Sequence, residues 1–157
     1  MTTTFGGVPA AEVFVSYAHE DAVHLGSLSA QLSLLQRQGL VDLWYDGRIL
    51  PGADWHQDIA AHLTSANVIV LLVSADFLAS DYSWSVELDH ALHRSDAIVV
   101  PIIVRPCLWQ DAPFAHLNAL PSEGRAITTW SNQEEAWLDV ASGLAALIKA
   151  LANRPAE

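Results

Sequence analysis

Apolar and polar positions along the chain follow two alternating rhythms. Residues 12–16 (EVFVS) form a short β-branched and aromatic run, the composition of a strand. Leu25, Leu28, Leu32 and Leu35 then recur at the spacing of one helix face, and Gly39 follows as a C-terminal cap. Residues 41–45 predict a second strand. A turn-rich stretch, residues 46–52 (DGRILPG), leads to Asp54, placed to cap a helix that carries Trp55, Ile59 and Leu63 on one side. Residues 68–73 (VIVLLV) are apolar without interruption, as a parallel strand covered on both faces requires. A helix is predicted over residues 82–93, with Trp84, Leu88, Ala91 and Leu92 along one stripe. Residues 97–104 (AIVVPIIV) repeat the buried-strand pattern, although Pro101 demands a bulge or one unpaired site. Residues 126–130 predict a short fifth strand. Ser131 and Glu134 have capping-box spacing for a last helix that turns Trp137, Val140, Leu144, Leu147 and Leu151 inward.

Strands that alternate with helices, two of them apolar throughout, specify an α/β domain. The expected architecture is a flavodoxin-like five-stranded parallel sheet with helices on both faces and right-handed crossovers. Residues 1–10 read as a flexible leader, residues 11–152 as the domain and residues 153–157 as a tail. In this strand order a crevice opens between the first and third strands at their C-terminal ends. Those ends are Ser16-Tyr17 and Ser74-Ala75-Asp76.

Composition narrows the classes of function. A chain of 157 residues is the size of one domain, and its 52% apolar content excludes intrinsic disorder despite a net charge of −11. One lysine, Lys149, and six scattered arginines leave no cationic footprint for nucleic acid. The single cysteine, Cys107, excludes an internal disulfide framework or a cysteine-based zinc site. No apolar run approaches the ~20 residues of a membrane span. The N-terminus lacks the charged start and apolar stretch of a secretory signal, so a cytoplasmic location is expected.

The strand ends hold the candidate chemistry. Ser16, Tyr17 and His19 follow the first strand, Trp44, Asp46 and Arg48 the second, and Ser74 and Asp76 the third. Hydroxyls, aromatic faces and an arginine around a sheet edge suit a nucleotide: rings stack, hydroxyls meet ribose and arginine meets phosphate. Open α/β sheets in general carry polar residues at strand ends, so a purely structural role stands beside that reading. Glu87 borders the apolar stripe of its helix, where a carboxylate can be partly desolvated and aimed at a cleft. Glu87 and His90 have the spacing of di-metal helices, but no second such helix exists. The pairs His90/His93 and His56/His62 lack the carboxylates that would complete a metal site, and no metal is expected. No Gly-x-Ser-x-Gly elbow, Gly-x-Gly-x-x-Gly turn or Gly-x4-Gly-Lys loop is present.

Taken in order, these segments resemble the TIR domain (Toll/interleukin-1 receptor homology), especially its bacterial type. Val13 to Asp21 (VFVSYAHED) is similar to the opening strand and loop. Leu43-Trp44-Tyr45-Asp46 with Ile49-Leu50-Pro51-Gly52 resembles the second strand and the BB loop. Val70 to Ser74, Phe77-Leu78, Ser80-Asp81-Tyr82, Glu87-Leu88 and Ala91-Leu92 resemble the third strand and the catalytic-helix region. Val100-Pro101-Ile102-Ile103 looks like the fourth strand, proline included. The resemblance spans about residues 11–150.

That resemblance implies two kinds of function. Many TIR domains are scaffolds that assemble through the BB loop, which here would be Ile49, Leu50, Pro51 and Gly52. Others cleave the nicotinamide–ribose bond of NAD+, which is then a substrate rather than a cofactor. By position, the catalytic glutamate of the enzymatic members matches Glu87. Ser16, Tyr17, Trp44, Asp46, Arg48, Ser74, Tyr82 and Trp84 match the region around their nucleotide site. Many enzymatic members carry a tryptophan four residues before the glutamate, where this chain has Ser83, flanked by Tyr82 and Trp84. The partners implied are NAD+, other TIR domains and a fused or separate sensor module. The expected role is an effector or signal producer in bacterial immunity.

Overall fold

The computed structural model describes residues 4–5, 8–45, 61, 64–79, 89, 92–94 and 96–152. Within the leader, Thr4–Phe5 pairs antiparallel with Val8–Pro9. The domain is then built on a parallel sheet of four described strands: β1 (Ala11–Ser16), β2 (Val41–Trp44), β3 (Val68–Val73) and β4 (Ile98–Ile103), in the order β2-β1-β3-β4. The sheet starts at its middle, adds β2 on one side and then crosses over to β3. The reversal of direction therefore falls between β1 and β3, which pair in register from Val13↔Val68 to Ser16↔Leu71.

Strict alternation along the central strands sorts side chains onto two faces. Val13, Val15, Val68, Val70 and Leu72 point to one side. They are covered there by Leu25 and Leu28 of α1 (Ala22–Gln31), by Leu35 of α2 (Ser33–Arg37) and by Trp137, Val140, Leu144 and Ile148 of α4 (Gln133–Ala152). Phe14, Ile69, Leu71 and Val73 point to the other side, against Phe77 of α3 (Ala75–Ala79) and Phe114. All six residues of β3 are fully buried, and each large one contributes about 1.5–3 kcal/mol through burial. The uninterrupted apolar run in the sequence thus has its cause: both faces of β3 are covered.

Local chemistry sets the ends of the elements. Gly39 closes α2 in the left-handed region (φ 73°), its N–H donating to the Gln36 carbonyl at 3.1 Å and that of Leu40 to the Leu35 carbonyl at 3.0 Å. α4 is capped by Asn132 rather than by Ser131. The Asn132 Oδ1 accepts the N–H groups of Glu134 at 3.0 Å and Glu135 at 3.4 Å, one residue further on than the capping-box spacing implied.

Of the two outcomes Pro101 allowed, a bulge or one unpaired site, the structure has the second: β4 keeps register with β3 from Val68↔Ile98 to Val73↔Ile103. The Pro101 carbonyl accepts the Leu120 N–H at 2.9 Å on the side away from β3, so the missing donor also falls on that outer side. One strand-level expectation needs correction: residues 126–130 are not a strand. Ile127–Thr129 is a 3₁₀ turn, closed by the Thr129 hydroxyl donating to the Ala126 carbonyl at 2.6 Å. The place beside β4 is taken by the single parallel bridge Ile102↔Leu120. The helices expected over residues 54–63 and 82–93 lie largely outside the described residues, and so does the tail. No described helix is long and apolar enough to cross a membrane.

Candidate functional site

Residues at and just beyond the strand ends cluster at the reversal point between β1 and β3. Ser16 is the last residue of β1 and shares a face with Phe14, among the apolar side chains that include Ala18, Leu71 and Phe77. It is 3% exposed, and its hydroxyl has no hydrogen-bond partner among the described residues. A buried donor left unmade costs about 1–3 kcal/mol, so an orphan of this kind needs a reason. Trp44 ends β2 opposite Phe14 and packs partly buried on that same face. Tyr17, the next residue after Ser16, turns to the other side and packs against the α1/α4 layer.

Ser74 comes directly after β3 and uses its hydroxyl twice. It accepts the Phe77 N–H at 3.1 Å, capping α3, and donates to Asp21 Oδ2 at 2.5 Å. Asp21 closes the 3₁₀ turn His19–Asp21 beyond β1 and is wholly buried. Its other carboxylate oxygen accepts the Arg105 Nε–H at 2.9 Å, and an Arg105 Nη donates to Asp76 Oδ2 of α3. Arg105 stands just beyond β4, so one guanidinium ties together the chain beyond three adjacent strands. The two carboxylates hold it protonated even more firmly than an ordinary arginine. Two acids against one cation leave this cluster with an excess negative charge, which does not attract phosphate.

Two neighbours are tuned by the same surroundings. Burial lowers the pKa of His24, with Arg105 adding to the effect and Asp21 opposing it; its ring stacks on Trp137 at 6.3 Å between centroids. Burial pushes the Cys107 thiol upward, away from the reactive thiolate. Among the described residues, no group of three or more His, Cys, Asp or Glu is arranged to hold a metal ion.

Of the residues singled out in the sequence, Ser16, Trp44 and Ser74 stand at or just beyond the C-terminal ends of β1, β2 and β3, and Tyr17 packs on the opposite face from Trp44. Asp46, Arg48, Ile49, Leu50, Pro51, Gly52, Tyr82, Trp84 and Glu87 lie outside the described residues, as do Ser83, His56, His62 and His90.

The family profile described as TIR domain matches residues 13–139. The chain belongs to the TIR-domain family. It is 47% identical over 135 residues to an uncharacterized protein, y4lF, of Sinorhizobium fredii; the match takes in 84% of this chain and 42% of that relative. The chain therefore spans less than half the length of that relative. Its fold is similar to the crystal structure of the TIR domain of the Toll-related receptor TRR-2 from Hydra magnipapillata. The TM-score is 0.61 at 20% identity, covering 87% of this chain and 97% of that one.

In this TIR domain the sequence pattern misses the Asp21–Ser74–Arg105–Asp76 network as a unit. Asp21 and Asp76 enter it only as members of strand-end segments. Arg105 gives one usable signal: it is a charge placed directly after the apolar run of β4, at the same end of the sheet as the crevice.

Proposed function

We propose that this TIR domain is an NAD+ glycohydrolase, with Glu87 as its catalytic carboxylate. The observation that carries the reading is the buried Ser16 hydroxyl, unpartnered among the described residues, at the reversal point of the sheet, where open α/β sheets bind ligands. Family membership, which includes enzymes of this kind, and the presence of Glu87 at the matching position support it. Ser16 would hydrogen-bond the ribose or amide of the substrate, Trp44 and Trp84 would border its rings, and Arg48 would meet its pyrophosphate.

The reaction needs one carboxylate and no metal. The glycosidic bond between ribose C1′ and the pyridinium nitrogen breaks with its electron pair going to nitrogen, so nicotinamide departs neutral. Ordinary glycosidases need a second acid to protonate the leaving oxygen; here none is required. The oxocarbenium-like ribose that remains is stabilised by the carboxylate of Glu87. Water then adds at C1′ and loses a proton to give ADP-ribose, or an internal nucleophile closes a ring.

Incubating the clustered protein with NAD+ and following nicotinamide by chromatography tests this. Turnover by the wild-type chain and its loss by at least about 10²-fold in Glu87→Ala are expected. Equal rates in both would reject the assignment. A second reading, a self-assembling module without catalysis, is favoured by one observation: Val23 and Leu138, on the adjoining helices α1 and α4, are 71% and 57% exposed. Under that reading Leu138→Asp abolishes concentration-dependent association, and Glu87→Ala changes nothing in a cellular assay.

A further inference from the structure

The Asp21–Arg105–Asp76 arrangement is not what stability alone would select. Taking a carboxylate as buried as Asp21 out of water is costly, and well-packed apolar residues would often serve a core as well or better. The arm to Asp76 is different in kind. The Asp76 side chain is 43% exposed and that of Arg105 is 33% exposed, a setting in which ion pairs add little to folding. What the second arm does accomplish is geometric. It joins α3 to the turn beyond β1, across the point where the sheet changes direction. α3 is only five residues long and is anchored by the Phe77 ring, the Ser74 cap and this pair. The chain leaving α3 at Ala79 reaches Glu87 within eight residues.

We propose that Arg105 is a positioning residue: its fork holds Asp21 and Asp76 at once, and so fixes α3, the element from which the chain runs on in sequence to Glu87, to the turn beyond β1. The proposal rests on the glycohydrolase reading of the same crevice. Arg105 does not touch substrate here, since both carboxylates occupy it and the excess negative charge repels a phosphate. Arginine is specific to the task. A planar guanidinium offers separate N–H groups in fixed directions, whereas a lysine ammonium meets one carboxylate well and a second poorly.

Two variants test the fork without emptying the core. Asp76→Ala removes the exposed arm and leaves Asp21 paired. Arg105→Lys keeps a cation beside buried Asp21, so the chain folds, but cannot hold both acids in the same geometry. Nicotinamide release by the clustered protein is measured for wild type, both variants and Glu87→Ala, with KM and kcat separated and thermal unfolding followed alongside. The expected result is a fall in kcat of about tenfold in both variants, the loss of one charge-assisted hydrogen bond, with KM within about twofold. Asp76→Glu, which restores the carboxylate, is expected to recover most of the rate. Wild-type kcat in Asp76→Ala and Arg105→Lys overturns the proposal and leaves the glycohydrolase reading intact. A kcat loss that merely follows the unfolded fraction also overturns it. A wild-type chain as inactive as Glu87→Ala rejects the glycohydrolase reading, and the proposal falls with it.

Discussion

At the scale of single residues, Ser16 sets stability against use. Its hydroxyl is buried without a partner among the described residues, so Ser16→Ala removes an unmade hydrogen bond and should raise folding stability by about 1 kcal/mol, read as a higher urea midpoint. If the proposed glycohydrolase reading holds, the same change should raise KM for NAD+ severalfold, because that reading makes the donor that costs stability in the free protein the one offered to substrate. Ser16→Ala with lower stability, or with an unchanged KM, contradicts that assignment. His24 supplies a pH prediction. Burial holds its folded pKa below the ordinary imidazole value of about 6.5, so as the pH falls past that value the unfolded chain takes up the proton first. Its contribution to stability is therefore intact at neutral pH and lost progressively on acidification toward the folded pKa. Urea unfolding at about pH 7.5 and about pH 5.5 should show a smaller drop in His24→Gln than in the wild type. Ser16 is legible in the sequence, because strand alternation and the reversal point both single it out. Arg105 is not. A lone charge after a strand acquires meaning only when three chain segments distant in sequence converge on it.

At the scale of elements, chain punctuation predicts more than residue propensity does. Gly39 ends its helix as expected, and because it holds a positive φ, Gly39→Ala should destabilise the domain by about 1 kcal/mol in denaturant unfolding. β3 and β4 can be read from their apolar runs, and β1 and β2 from short β-branched and aromatic stretches, β2 burying Val41 and Leu43 while Asp42 between them is exposed. Residues 126–130 show where that logic fails. Ile127, Thr128, Thr129 and Trp130 all favour extended structure, yet Ile127 is buried within a turn and Thr129 bonds back to Ala126 instead of to a neighbouring strand. Propensity there describes the side chains correctly but not the partner, and a strand without a partner does not form. Asn132 and Ser131 differ for a similar reason: both are good caps, and only the entry angle of the chain decides which one reaches the helix amides.

At the scale of the whole molecule, the charge of −11 opposes bringing copies together. Screening relieves this, since the Debye length falls from about 30 Å at 0.01 M salt to about 8 Å at 0.15 M. Self-association, followed by light scattering, should therefore strengthen as salt rises over that range, and nicotinamide release should rise with it if clustering activates the enzyme. The decision between enzyme and assembly module belongs to this scale as well, because it depends on surfaces and loops rather than on the core that the apolar pattern describes.

Pro101 carries a consequence for how such association stays orderly. It turns the side without an amide hydrogen toward the outer border of the sheet, where Leu120 makes a single bridge. A complete row of donors and acceptors at such a border is a template on which another extended chain can add, and addition of that kind propagates without limit. The proline leaves a gap in the template at its centre, and β2 at the opposite border has only four residues. Any cluster that this chain forms is thereby shielded from fibre growth. Restoring the hydrogen with Pro101→Val should leave the fold in place while increasing thioflavin-positive aggregates on gentle heating.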